Sequence, residues 1–365
     1  MTMTTKYYTL RFTRNGTTEH QPLNSYSRLV PLSGPHIRNG ANSQIFIDPN
    51  DNMHVLKQFN EPYTDTRKLE LIHKLHIRSD VSNSFTSRYT WPKFLVLDEA
   101  NLQNMSAGKT YSYQGYFMQR VSNAVPIDDF FGKGSLCTRM SVAYQLVKSL
   151  IELHKNNMAM GDISANNILI SQDNAFMNVV LIDSDSFVLQ TPSDELFRTL
   201  WYTDPYYCRQ PNGTFTLSDY QKNDAFGFAV LCFQLFLGIN PFDVINNSFT
   251  HQNPGLIQSR KKYSELLKLR EFPLFCNNKY NYDGHQLDRL QQDFFKLPLR
   301  IQNAFIKSFT DKNLEVTPLS EWMNHLETMI MRICTSHNYL PKREENENRS
   351  DTRTAQILSF PKSSG

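Results

Sequence analysis

The chain has 365 residues, 40 % apolar and 20 % charged, enough for a real core and against global disorder. Lys and Arg total 38 against 35 Asp and Glu, a net charge of +3. Whole-chain charge therefore argues for neither a nucleic-acid nor a membrane partner. Five dispersed cysteines without a C-x-x-C pair exclude a disulfide framework and a zinc ribbon, and fit a reducing, cytoplasmic setting. The apolar run 225–239 is too short to span a bilayer and reads as a buried helix.

In chain order, residues 6–23 read as a hairpin about Asn15-Gly16, and 45–59 as a second strand pair about Pro49–Asn52. Leu69, Leu71, Ile72 and Leu75 have helical spacing over 66–77. Phe94–Asp98 and Gly115–Val121 are short strands. An amphipathic helix follows at 140–156, then a strand pair at 168–182, then helices from about 219 to 337. The fold class is α+β, with strands first and helices after. The predicted divisions are a β-hairpin extension (1–24), a β-rich lobe (25–121), a helical lobe (122–338) and a polar, flexible tail (339–365).

The chemistry concentrates in 153–187. Asp162 precedes Asn167 by five residues, and Asp183 ends the apolar strand 179–182. Carboxylate and amide oxygens are the hard donors that Mg²⁺ takes when it bridges phosphates, and a hydroxyl nucleophile needs a carboxylate beside its proton.

Here the chain resembles the protein-kinase superfamily, in a form similar to divergent bacterial or phage-type kinases. Met160-Gly161-Asp162…Asn167 stands where the family has H-R-D-x-x-x-x-N, and Asp183-Ser184-Asp185 where it has D-F-G. Asp224, Gly227 and the block Leu235–Phe242 match the family's buried helix and its closing L-x-x-G-x-x-P-F. His54-Val55-Leu56-Lys57 is similar to V-A-I-K. Thr203–Gln210 looks like a degenerate T-P-E-Y-x-A-P-E, and Thr317-Pro318…Trp322 like R-P…W. The family's buried Glu–Arg bridge is thus replaced at both ends, by Gln210 and Thr317, a double change that can be neutral.

The resemblance implies a bilobed fold with ATP and Mg²⁺ (or Mn²⁺) in its cleft. Asp162 would be the catalytic base, and Asn167 and Asp183 the metal ligands, with Asp185 assisting. Lys57 would hold the phosphates, paired with Glu70, a better partner than Glu61. Gly40, Ser43, Ile45, Met118, Gln119, Val121 and Leu169 would line the nucleotide, with Met118 walling the adenine. Asp224 would be structural, bonding the catalytic-loop backbone.

The phosphate-covering loop 37–45 keeps one glycine where the family has three, so a different loop shape and weaker nucleotide binding are expected. The loop lysine of Ser/Thr kinases is Ser164, and the His-Arg before the base is Met160-Gly161. Loss of that Arg implies activity without activation-loop phosphorylation. The expected function is phosphotransfer from ATP to a protein Ser or Thr hydroxyl, the partner being a protein substrate rather than nucleic acid or membrane. Two alternatives stay open: a small-molecule kinase of the aminoglycoside, choline or sugar type, and a pseudokinase scaffold. His36, His54, His73, His76 and His154 show no metal-ligand spacing. Cys208 reads as a buried inert thiol.

Overall fold

A computed structural model describes residues 5–32, 42–77, 87–173, 176–189, 199, 202–204, 215–242, 274, 284–310 and 315–336. Gly40, Cys208 and Gln210 lie outside these residues. Two compact units are formed: Met1–Val125 with Val180–Asp185, and Pro126–Val179 with Ser186–Gly365.

The first unit is built on a seven-stranded sheet. Its strands are β1 (Tyr7–Phe12), β2 (Thr18–Pro22), β3 (Val30–Pro31), β4 (Ser43–Ile47), β5 (His54–Tyr63), β6 (Pro92–Asp98) and β7 (Tyr113–Gln119), in the order β2-β1-β6-β7-β5-β4-β3. The hairpin forms at Asn15-Gly16, with Gly16 at φ 78°. Its first strand also pairs along β6, Leu10 opposite Leu95, so the hairpin belongs to the sheet.

One sheet face carries Leu10, Phe12, Val55, Phe59, Leu95, Tyr116 and Met118. Helix α1 (Thr66–Ile77) adds Leu69 to this cluster. Leu69 and Ile72 are fully buried, while Leu71 faces water. The opposite face carries Leu56, Val96 and Phe117, covered by Tyr7, Leu23, Tyr26 and Leu29. Strand alternation sends consecutive residues of β5 to opposite cores. A helix the sequence reading did not anticipate, α2 (Glu99–Ser106), follows β6 directly. Asp98 caps it by accepting the Asn101 N–H at 2.8 Å.

The second unit is mainly helical: α3 (Leu136–Lys155), α4 (Leu217–Leu237), α5 (Gly284–Lys296), α6 (Leu299–Thr310) and α7 (Leu319–Ser336). Two strands, β8 (Ile168–Asp173) and β9 (Phe176–Leu181), interrupt them and form a small three-stranded sheet with the short strand Ala124–Pro126. Helix α4 opens with a Thr216–Asp219 capping box and closes at Gly238, φ 79°. It is buried nearly all round, which explains its unbroken apolar run. Phe228, Phe233, Phe305, Phe309 and Trp322 interlock there, with Phe305 and Trp322 rings 4.9 Å apart. Among the described residues no helix is long and apolar enough to cross a membrane.

Candidate active site

Lys57 lies mid-strand in β5, opposite Tyr116 of β7 and Ile45 of β4. The residue is only 6 % exposed. A lone buried ammonium would be costly, so it must be paired. Its Nζ donates to Asp183 and, at 2.7 Å, to Asp185 Oδ1. The rings of Phe59 and Tyr116 each stand 5.9 Å from the ammonium. Burial alone would favour the neutral amine, but Asp185 and Asp183 hold its pKa above the usual lysine value.

The carboxylates arrive on residues 180–185, which the first unit holds through backbone bonds. Thr90 N–H donates to Leu181 O at 3.0 Å, Leu181 N–H to Arg88 O at 2.8 Å, and Ser184 Oγ to Thr90 O at 2.9 Å. Asp183 sits in the left-handed region at φ 69°, a conformation short polar side chains tolerate best. Asp185 also accepts the Tyr116 hydroxyl at 2.6 Å. Burial opposes its ionisation, yet Lys57 and Tyr116 together hold its carboxyl below the ordinary range. Burial and the nearby Asp185 charge raise the Tyr116 phenol well above its usual value, so it stays a donor.

The expected Lys57–Glu70 pair is not formed. Glu70 Oε1 accepts the hydroxyls of Tyr111 and, at 3.0 Å, Tyr113, and Lys74 lies 3.7 Å from Oε2. Two phenols from the segment entering β7 claim the carboxylate, and two nearer carboxylates claim the lysine. Burial, then Glu70, raises both phenols above the usual tyrosine value. Glu61 is exposed on β5.

Of the expected nucleotide-lining residues, Ser43 is buried opposite Phe59, and Ile45 is half-buried opposite Lys57. Met118 packs in the first apolar core, Gln119 is exposed, and Val121 is half-buried. Leu169 is half-buried on β8 of the second unit.

In that second unit the loop 160–167 is pinned from below. The buried Asp224 of α4 accepts the Met160 N–H at 2.7 Å, the Gly161 N–H at 3.2 Å and His154 Nε2 at 2.9 Å. Gly161 adopts φ 76°, and a Cβ there would stand 2.7 Å from Ser186 O. Glycine is therefore required for both conformation and space. Asn167 Nδ2 donates to Asp162 O at 2.9 Å and to Oδ2 at 3.3 Å. That leaves Asn167 Oδ1 as its donor for a hard cation. Asp162 Oδ1 accepts the Thr199 N–H at 2.7 Å. Thr317 is buried, donating to Ala304 O at 2.9 Å, and Trp322 is fully buried.

Among the described residues no group of three or more His, Cys, Asp or Glu could by itself hold a metal. Each unit carries a hard-oxygen donor at an expected position, the Asp183 carboxylate in the first and Asn167 Oδ1 in the second. This chemistry fits Mg²⁺, which is commonly held by one or two carboxylates with substrate phosphates completing its shell. Tyr116, Tyr111 and Tyr113 escaped the sequence reading. Tyr113 and Tyr116 are three residues apart, a spacing that strict strand alternation would send to opposite faces, yet both pack in the same apolar core, and only the tertiary structure shows which carboxylates they touch.

No protein-family model matches the chain, and no curated protein matches it. Solved structures do. The structure of the Rad53 kinase domain and SCD2 superposes with a TM-score of 0.50 at 15 % identity, covering 82 % of this chain and 88 % of that one. The Cydia pomonella granulovirus kinase PK-1 superposes with a TM-score of 0.50 at 14 % identity, covering 82 % and 94 %. A β-rich unit preceding a helical one, with this similarity, gives the chain a protein-kinase-like α+β fold.

Proposed function

We propose that this protein transfers the γ-phosphate of ATP, as its Mg²⁺ complex, to a Ser or Thr hydroxyl of a protein substrate. The observation that carries the reading is the buried Lys57 held by Asp183 and Asp185. A buried cation with two carboxylates is weak evidence of stability, and perturbed charge clusters of this kind mark functional sites. Lys57 supplies the cation for the nucleotide phosphates. Asp183 and Asn167 offer the oxygens for Mg²⁺, which when bound neutralises charge on the transferring phosphoryl group. Asp162, steadied by Asn167 and the Asp224-pinned loop, accepts the substrate hydroxyl's proton. The substrate oxygen bonds to the γ-phosphorus, the bond to the β,γ-bridging oxygen breaks, and ADP leaves.

The test incubates purified protein with labelled ATP and Mg²⁺ or Mn²⁺, alone and with cell extract. Label on protein Ser or Thr, reduced about 10²–10⁴-fold by Asp162→Asn and abolished by Lys57→Met, supports the reading. ATP turnover stimulated only by small metabolites would favour a small-molecule kinase. Absence of any nucleotide-dependent thermal shift would leave a scaffold.

A further inference from the structure

The two carboxylates on Lys57 are not equivalent. Asp185 Oδ1 receives both the Lys57 ammonium at 2.7 Å and the Tyr116 hydroxyl at 2.6 Å, and its side chain is 13 % exposed. Asp183 has a side chain 30 % exposed and a left-handed backbone. Glu70, on α1, is engaged by Tyr111 and Tyr113.

We infer that Asp185 is the standing counter-ion that positions Lys57, with Tyr116 orienting Asp185, while Asp183 is the carboxylate turned to the phosphate-bound cation. The inference rests on the phosphotransfer reading for its catalytic consequence, but its structural core stands on the ion pairs alone.

Three features support the division of labour. Tyr116 and Lys57 are cross-strand neighbours, so the sheet itself sets where Asp185 must sit. Ser184, the residue between the two carboxylates, donates its Oγ to Thr90 O at 2.9 Å and so tethers the backbone that carries both. Tyr116 engages Asp185 as a buried neutral donor, and such a network is selective for one geometry. A consequence follows for α1. Its acidic residue is held by two phenols of its own unit, so a displacement of α1 does not break a salt bridge to the phosphate lysine. Asp185 is thus a positioning residue that acts through Lys57.

The test uses the full chain labelled with ¹⁵N-lysine and no nucleotide. It reads hydrogen exchange of the Lys57 ammonium, identified by its disappearance in Lys57→Arg. Exchange should quicken at least fivefold in Asp185→Ala, about twofold in Tyr116→Phe, and not at all in Glu70→Gln. Should Asp185→Ala fail to fold, Tyr116→Phe, which loses only a hydroxyl, carries the test. Steady-state kinetics add a second readout: Asp185→Ala should raise KM for ATP tenfold or more, with a smaller fall in kcat. Unchanged exchange in folded Asp185→Ala, faster exchange in Glu70→Gln, or a fall in kcat with KM unmoved would overturn the assignment. Because exchange is read without nucleotide, wild-type protein that binds no ATP would sink the proposed function while leaving the ion-pair assignment to stand or fall on its own data.

Discussion

His73 illustrates how much a single side chain reveals once its neighbours are known. It lies on α1, fully buried; Nε2 accepts the Phe12 N–H at 3.1 Å and Nδ1 donates to Pro92 O at 2.6 Å. Only the neutral ring can do both, because a protonated imidazole has no acceptor. Burial is the main force lowering its pKa from the ordinary 6.5, with Arg11 and Lys74 adding to it. The folded state therefore binds fewer protons than the unfolded chain below 6.5, and stability falls as pH drops through that window. The melting temperature should decline between pH 7.5 and 5.5, and His73→Gln should flatten that slope while lowering stability overall. The sequence shows His73 three residues from His76 with no third ligand for a metal. It could not show a histidine tying α1 to two strands of the sheet.

At the scale of elements, α4 is the best-read part of the chain. Its Asp224, Gly227 and closing Gly238 were all legible as a pattern, and the structure supplies the reason for each. A Cβ at position 227 would overlap Ile163 Cγ2 and stand 3.0 Å from Tyr202 O. Gly227→Ala should thus displace Ile163, the neighbour of Asp162, costing about 1–3 kcal/mol in urea unfolding. Asp224→Ala should cost about 1–3 kcal/mol for each of the two backbone N–H groups it leaves unpaired at Met160 and Gly161. It should also lower turnover, since the loop carrying Asp162 loses its tether. Helices α1 and α3 and strands β4 to β7 were legible from apolar periodicity to within a few residues. Helix α2 was not, because its polar sequence EANLQNMS buries no residue fully and owes its start to the Asp98 cap.

For the whole molecule, the decisive relation joins residues 126 and 128 positions apart, Lys57 with Asp183 and Asp185. Removing both carboxylates leaves a buried unpaired cation, whereas removing all three charges does not. Asp183→Asn with Asp185→Asn should destabilise the chain by about 3–5 kcal/mol, and adding Lys57→Met should recover most of that. Lys57→Met alone should destabilise. A double-mutant cycle in chemical denaturation reads this reversal of sign. By itself the sequence determined the α+β order of elements, the kinase-like motifs and the residues that bear charge, because periodicity, caps and motif spacing are local or ordered along the chain. Which carboxylate serves which cation was decided only by tertiary structure. Charges attract whatever lies nearest in space, and strand register places Tyr116 beside Lys57, Asp185 beside both, and Glu70 among tyrosines.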